Sequence, residues 1–411
     1  MDKIAVFPCG SEIGLEIARS FQGIKNVKLV GISSVPNHGK FIYNDYIEID
    51  GSVDDPNFIS QFSNLIREND IDFIFPAHDD VVLSFAQHFD TKTIGSPHKT
   101  CLITRYKSQT YRHFNKIIRT PKYCDMNYPL FIKPDKGQGS KGCHIVRNAK
   151  ELKFYLTPEV LALEYLPGEE YTVECFTDYK GQLLYCAPRQ RRRISNGISV
   201  NTNNVSLSPD IEAMANAIND NLTLNGAWFF QAKYSRTDEL TLMEIAPRIG
   251  GSSGLSRIKG VNLPVLSYFN HLKQPVTVAP NEFNVELDRA WSNKYKLNID
   301  YSHLYVDFDD CLYIDGKINS DLIKLIVQCR NEGKSIHLLS KHSGNLHEIL
   351  LKLKIKDLFD TVVQMPKHTK KSYYINRTNS IFIDDSFEER QDVYKIIRIP
   401  VFAPDAIEGL L

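Results

Sequence analysis

Two apolar runs that each stop on carboxylates constrain this chain more than anything else in it. They are Tyr305-Val306-Asp307-Phe308-Asp309-Asp310-Cys311-Leu312 and, about seventy residues later, Ile381-Phe382-Ile383-Asp384-Asp385-Ser386. A β-branched and aromatic run without polar alternation fits a strand buried on both faces, and parallel strands of that kind present ligand groups at their carboxyl ends. The pattern predicts two adjacent parallel strands whose ends gather four acids, Asp307, Asp309, Asp384 and Asp385. Carboxylates packed that closely repel one another unless a cation neutralises them, and an oxygen-only set suits magnesium better than zinc. The chemistry implied is phosphoryl transfer.

With 411 residues the chain exceeds one ordinary core, so two or three domains are expected. Lys+Arg and Asp+Glu balance at 49 each, which removes any global electrostatic attraction to nucleic acid or an acidic membrane. The eight cysteines, at 9, 101, 124, 143, 175, 186, 311 and 329, form no C-x-x-C pair, which points to a reducing compartment and no thiolate metal site. No signal-peptide core follows Met1, and no apolar stretch reaches the ~20 residues of a bilayer span. The expected location is the cytoplasm.

Ile4 to Phe7 reads as a strand, Pro8 to Gly14 as a turn, Leu15 to Phe21 as a helix and Val27 to Ile32 as a second strand. Gly10 and Gly14 do not complete G-x-G-x-x-G, so a Rossmann-like scaffold is expected rather than a dinucleotide site. The strand Phe73 to Pro76 runs into Ala77-His78-Asp79-Asp80, which suits either a ligand crevice or a capped helix start.

A basic helix around Lys107 precedes Tyr128 to Ile132 and then Lys133-Pro134-Asp135-Lys136-Gly137-Gln138-Gly139-Ser140-Lys141-Gly142. Glycines let backbone amides approach phosphate oxygens and the lysines add charge; the same segment also suits a flexible surface loop. It is not a Walker A loop. Further on lie Glu164-Tyr165-Leu166-Pro167-Gly168-Glu169-Glu170, the basic run Arg189 to Arg193, paired strands at Trp228 to Gln231 and Leu240 to Glu244, and Ile245-Ala246-Pro247-Arg248. If the basic run is a strand, Arg189, Arg191 and Arg193 share one face, either as an anion-binding surface or as charges guarding an edge. Asn203, Asn204 and the residues after them read as a loop, and 276 to 298 as a connector.

Taken in order, Lys107, the Lys133 glycine loop, the Glu164 to Glu170 segment, Gln231 and Glu244-Ile245-Ala246-Pro247-Arg248 resemble the ATP-grasp superfamily, in its carbamoyl-phosphate-synthase-like branch. The resemblance implies a multidomain α/β and α+β chain. Residues 1–98 would form a Rossmann-like domain, 99–280 the ATP-grasp fold and 281–299 a linker. It further implies that Lys107 and Lys133 bind phosphate, that Gly137, Gly139 and Ser140 belong to a mobile lid, that Glu164 and Leu166 form the hinge meeting adenine, and that Glu170 accepts the ribose. Gln231 and Glu244, ending facing strands, would hold magnesium against the β- and γ-phosphates, with Mn2+ as a substitute. Arg248 would steady the transferred phosphate, and Arg191 and Arg193 would bind phosphate or carboxylate. Where the family usually has Asn, two residues past Glu244, this chain has Ala246, one metal ligand fewer.

Residues 300–411 resemble the haloacid dehalogenase-like phosphatases, here as a capless Rossmannoid domain. Asp307 and Asp309 alternate so as to point the same way from one strand, and the resemblance makes Asp307 the nucleophile and Asp309 the general acid and base, both also reckoned among the magnesium ligands with Asp384 and Asp385. Ser340 anchors phosphate, and Lys371, with Lys367 and Lys370 as rivals, neutralises it. Cys311 stands where the family more often has threonine. Only Tyr313 to Lys317 follows the nucleophile as a turn, so the site should be open, and either it takes a bulky substrate or the ATP-grasp domain itself covers it.

The expectation is a bifunctional enzyme using ATP and Mg2+: a ligase joining a carboxylate to an amine through an acyl phosphate, fused to a phosphatase acting on a phosphorylated small molecule. A small-molecule kinase, or a degenerate ligand-binding module on an active phosphatase, are the alternatives. Neither nucleic acid nor membrane is an expected partner, and the sequence leaves oligomeric state open.

Overall fold

The computed structural model describes residues 1–123, 127–195, 197–290 and 293–411. Its first sheet is four-stranded and parallel, in the order Asp45–Glu48, Val27–Ser33, Asp2–Phe7, Phe73–Pro76. Asp2–Phe7 is central, so Ile4 to Phe7 are buried. The helix Glu12–Ser20 follows directly because Ser11 caps it, its hydroxyl accepting from the Gly14 N–H at 3.0 Å. Gly14 has to be glycine: a Cβ there would lie 2.3 Å from the Cys9 carbonyl oxygen.

The middle of the chain forms two antiparallel sheets. The smaller orders His144–Val146, Leu130–Pro134, Val160–Glu164. The larger has seven strands, in the order Leu240–Ala246, Gly226–Tyr234, Glu170–Thr177, Leu183–Ser195, Ile198–Asn204, Val285–Arg289, Asn293–Leu297. Two expectations fail here. Asn203 and Asn204 are not loop but strand, paired with Gln190 and Arg189, and the Asn204 side-chain oxygen accepts from the Val285 N–H at 2.6 Å. The expected linker 281–299 is a hairpin that extends the sheet. Its alternation was masked by charge: Val285 and Leu287 turn into the core while Glu286 and Asp288 turn out.

Residues 303–402 build a five-stranded parallel sheet in the order Thr361–Gln364, Ser335–Ser340, His303–Val306, Ser380–Ile383, Val401–Phe402. The two carboxylate-terminated runs are neighbours in it, with Val306 opposite Ile383. Only the hairpin Tyr313–Ile314/Lys317–Ile318 stands over the strand ends between Asp310 and the helix Ser320–Asn331.

One apolar core joins this sheet to what precedes it, since Leu255, Ile258, Phe283, Val285 and Leu287 pack in the same cluster as Leu304, Val306 and Phe402. Arg257, 1 % exposed, pins the junction. Its Nε donates to Glu16 at 2.7 Å, Nη2 to Glu408 at 2.5 Å and Nη1 to the Asp405 carbonyl at 2.5 Å. Asn262 adds bonds to the Ser20 carbonyl and to Asp405. A buried charge held by so many partners fixes geometry, and stripping one partner from such a pair costs about 3–5 kcal/mol. No helix among the described residues is long and apolar enough to cross a membrane.

Candidate functional site

Both middle sheets line a cavity of about 650 Å³, and Ser11 to Ile13 and Ala77 to Asp79 of the first domain reach into it. Two lysines stand in its wall, each less than a tenth exposed. Lys107 starts the helix Lys107–Phe114 and donates to the Gly137 carbonyl at 3.0 Å. Lys133, on the strand Leu130–Pro134, donates to the Met243 carbonyl at 3.3 Å and lies over the Tyr111 ring. Burial and the nearby Lys107 charge push the Lys133 ammonium down to about 8, against the pull of Glu244. Two buried cations with carbonyl and ring partners but, among the described residues, no paired carboxylate, facing a cavity, call for an anion.

Gln231 and Glu244 meet in register across the strands Gly226–Tyr234 and Leu240–Ala246, just before a bulge at Ala232. Both line the cavity, and their oxygens suit a hard cation bridging phosphates. Arg191 donates to Gln231 at 3.3 Å, to the Gly197 carbonyl at 2.7 Å and pairs with Glu170. Glu164 lines the cavity too, but its carboxylate is clamped by Arg119 through two 3.1 Å bonds; Leu166, buried, lies beside it. Arg193 departs from expectation. The register slips between Ser199 and Thr202, the shared face is lost, and Arg193 pairs with Asp288 outside the cavity lining.

Arg248 does line the cavity, held by a partner that sequence reading missed. Its Nε and Nη2 donate to the two oxygens of Asp79 at 2.6 and 2.7 Å. Burial alone would raise Asp79, but the charge and hydrogen bonds of Arg248, with the charges of Arg105 and His78, together outweigh it and hold the carboxyl at about 2. The stretch His78 to Asp80 serves both roles left open by the sequence: His78 caps the helix Asp79–His88, and it faces the cavity, with Gln138 of the glycine loop 2.5 Å from its Nε2. Only the strand-end position of these polar residues signalled it.

The glycine loop itself, with Gly137, Gly139 and Ser140 lining the cavity, meets the turn after Leu183–Ser195. Gly197 has φ +76°, and a Cβ there would sit 2.1 Å from Gly139 backbone atoms. Gly197→Ala is therefore expected to displace the loop and weaken binding of a phosphate-bearing ligand in the cavity about tenfold, in line with a backbone penalty of about 1–2 kcal/mol. Titration calorimetry with ATP alongside thermal melting checks this, and a melting temperature that falls with unchanged affinity would refute it.

The second site lies at the carboxyl ends of His303–Val306 and Ser380–Ile383. Asp307, Asp384 and Asp385 each offer an oxygen within 4.8 Å of the others, an arrangement that fits a hard dication. Lys371 bridges Asp307 at 2.6 Å and Asp384 at 2.5 Å, whereas its rival Lys370 turns to Glu388 and Lys367 is exposed. Burial, then the Asp384 charge, push Asp307 up to about 8 despite Lys371. Ser340, fully buried, ends the adjacent strand, and its Oγ accepts from the His342 N–H at 3.0 Å.

Asp309 is not brought into this acid triad. The strand stops at Val306, so the alternation that should align residues 307 and 309 ends before it applies, and Asp310 turns with φ +56°. Asp309 instead lies 2.9 Å from Nδ1 of His342, a residue the sequence reading did not single out. Among the described residues none beyond Arg289 lines the first cavity, so the two sites are separate.

Residues 156–295 match the family described as "ATP-grasp in the biosynthetic pathway with Ter operon". A D-alanine–D-alanine ligase of Petrotoga mobilis is 37% identical over 95 residues, 20% of this chain and 32% of that protein, so the likeness spans about a third of the ligase. Among solved structures, the biotin carboxylase domain of the Hydrogenobacter thermophilus 2-oxoglutarate carboxylase, in complex with MgADP, ADP and bicarbonate, has a TM-score of 0.60 at 16% identity, covering 70% of this chain and 74% of that one. The L-amino acid ligase of Bacillus licheniformis has a TM-score of 0.57 at 16% identity, covering 70% and 79%. The larger part of the chain thus shares the fold of these solved structures, and residues 156–295 within it match the ATP-grasp family model.

Proposed function

We propose that the cavity is the active site of an ATP-dependent carboxylate–amine ligase, and that the separate acid site is a phosphatase acting through an aspartyl phosphate. The observation that carries the first is the pair of buried lysines, Lys107 and Lys133, opposite Gln231 and Glu244. Lys107 and Lys133 hold the phosphates, the loop Gly137 to Gly142 covers them, and Leu166 packs against the base. A carboxylate oxygen attacks the γ-phosphorus and ADP leaves; the amine then attacks the acyl carbon, phosphate departs, and the nitrogen loses its proton. Magnesium held by Gln231 and Glu244 would supply charge neutralisation at the phosphates. The two ligases among the comparisons are named for amino acids, which favours an amino acid as one substrate.

In the second site Asp307 attacks the ester phosphorus, the alcohol leaves with a proton, and water then cleaves the aspartyl phosphate. Lys371 keeps the buried acids compatible and Ser340 offers its hydroxyl to the phosphoryl oxygens. Magnesium held by Asp307, Asp384 and Asp385 would screen the incoming phosphate. Asp309, beside His342, is the group proposed to move the proton.

A screen of carboxylates with amines, following ADP and amide formation, tests the first reading. ADP release that depends on both substrates is the expected result. ATP consumption that yields a stable phosphorylated acid and no amide with any amine would replace ligation by phosphoryl transfer, and absence of ATP binding would leave only a ligand-binding module, the reading Ala246 favours.

A further inference from the structure

The acid site is not built by its own domain alone. Lys25, in the turn between the helix Glu12–Ser20 and the strand Val27–Ser33, crosses to pair with Asp310 at the mouth of the site. Asp385 and Asp315 add their negative fields at the same ammonium, and Asp385 belongs to the metal-competent triad. Three lysines of the acid-site domain are engaged within it: Lys371 by Asp307 and Asp384, Lys341 by Glu389, Lys370 by Glu388.

This approach is held in place rather than left to a loose surface loop. Glu16 and Ser20, on the helix that leads into the Lys25 turn, are the groups that Arg257 and Asn262 tie to Asp405 and Glu408. Lys25 nevertheless remains 55 % exposed, so its ammonium is free to exchange Asp310 for an incoming anion. A rim carrying Asp309, Asp310, Asp315 and Asp385 repels anions in general, and a cation delivered from another domain makes one direction of approach favourable.

From this geometry we infer that Lys25 is a specificity residue of the acid site, and that the site takes phosphomonoesters carrying a second anionic group, carboxylate or phosphate, which Lys25 binds while the ester phosphate sits at Asp307. The inference rests on the phosphatase reading of that site. The same helix has Ser11 to Ile13 at its other end, in the wall of the nucleotide cavity. Its nine residues rise about 14 Å.

The test compares 3-phosphoglycerate with glycerol 3-phosphate, which differ in a carboxylate, using the full chain and its Lys25→Ala, Lys25→Arg and Lys25→Glu variants. Wild type is expected to prefer 3-phosphoglycerate at least tenfold in kcat/KM, mainly through KM. Lys25→Ala should erase the preference, Lys25→Glu invert it and Lys25→Arg keep it, with kcat for glycerol 3-phosphate little changed. A ratio the same in Lys25→Ala as in wild type would overturn the inference while leaving the phosphatase standing. A chain that hydrolyses neither ester and traps no beryllium fluoride at Asp307 would overturn both.

Discussion

Lys133→Met will cut ATP affinity about thirtyfold or more without destabilising the unliganded protein. The side chain is buried, and its ammonium has a carbonyl and a ring face for partners rather than a bonded carboxylate. A charge in that position stabilises little until an anion arrives, and methionine fills nearly the same volume. Removing one partner of a desolvated charge pair costs about 2–5 kcal/mol of binding, which sets the lower bound on the effect. A residue with a purely structural role would behave the opposite way, losing melting temperature and keeping affinity. The pH dependence adds a second signature. Burial and Lys107 lower Lys133 to about 8, so free protein loses this proton as pH rises past that value. Bound phosphate favours the protonated form, so ATP affinity should fall above about pH 8 and binding there should take up a proton. Calorimetry in buffers of different ionisation enthalpy measures both, and Lys133→Met should show neither.

Asp307→Asn will abolish phosphoester hydrolysis, by about a thousandfold or more, and leave ATP turnover intact. Asparagine keeps the shape but lacks the nucleophilic oxygen, and loss of a covalent nucleophile removes the route rather than tuning it. The fold tolerates the change, because Lys371 still has Asp384 as a partner and a buried carboxylate strained by Asp384 is replaced by a neutral amide. The nucleotide cavity should not register it, since among the described residues none beyond Arg289 lines that cavity. Phosphate release and ADP release measured on the same preparation decide the matter. Loss of both activities would mean that the sites communicate, and retention of phosphatase activity would remove Asp307 from the role of nucleophile.

Much of this arrangement was legible before any coordinates. The adjacency of the strands ending at Val306 and Ile383 followed from two runs buried on both faces, and the pairing of Gln231 with Glu244 followed from two strands of matched pattern. Expectation failed where one local rule was extended past the end of its element. Asp309 was placed by strand alternation although the strand had stopped, and Arg193 was placed on a shared face that a slip in register dissolves. The hairpin at 285–297 was overlooked because charged residues alternate with its core positions, and charge reads as connector when only composition is weighed.

Strand ends, glycine turns and helix caps came from the chain's own local order, because each depends on atoms a few residues apart and leaves a spacing that can be read. Partnerships across the fold did not. Arg248 finds Asp79 across 169 residues, Arg257 finds Glu16 across 241 and Lys25 finds Asp310 across 285. Nothing local encodes such meetings, because an ion pair is set by separation in space, and that separation exists only once the sheets have packed and the first domain has closed against the last.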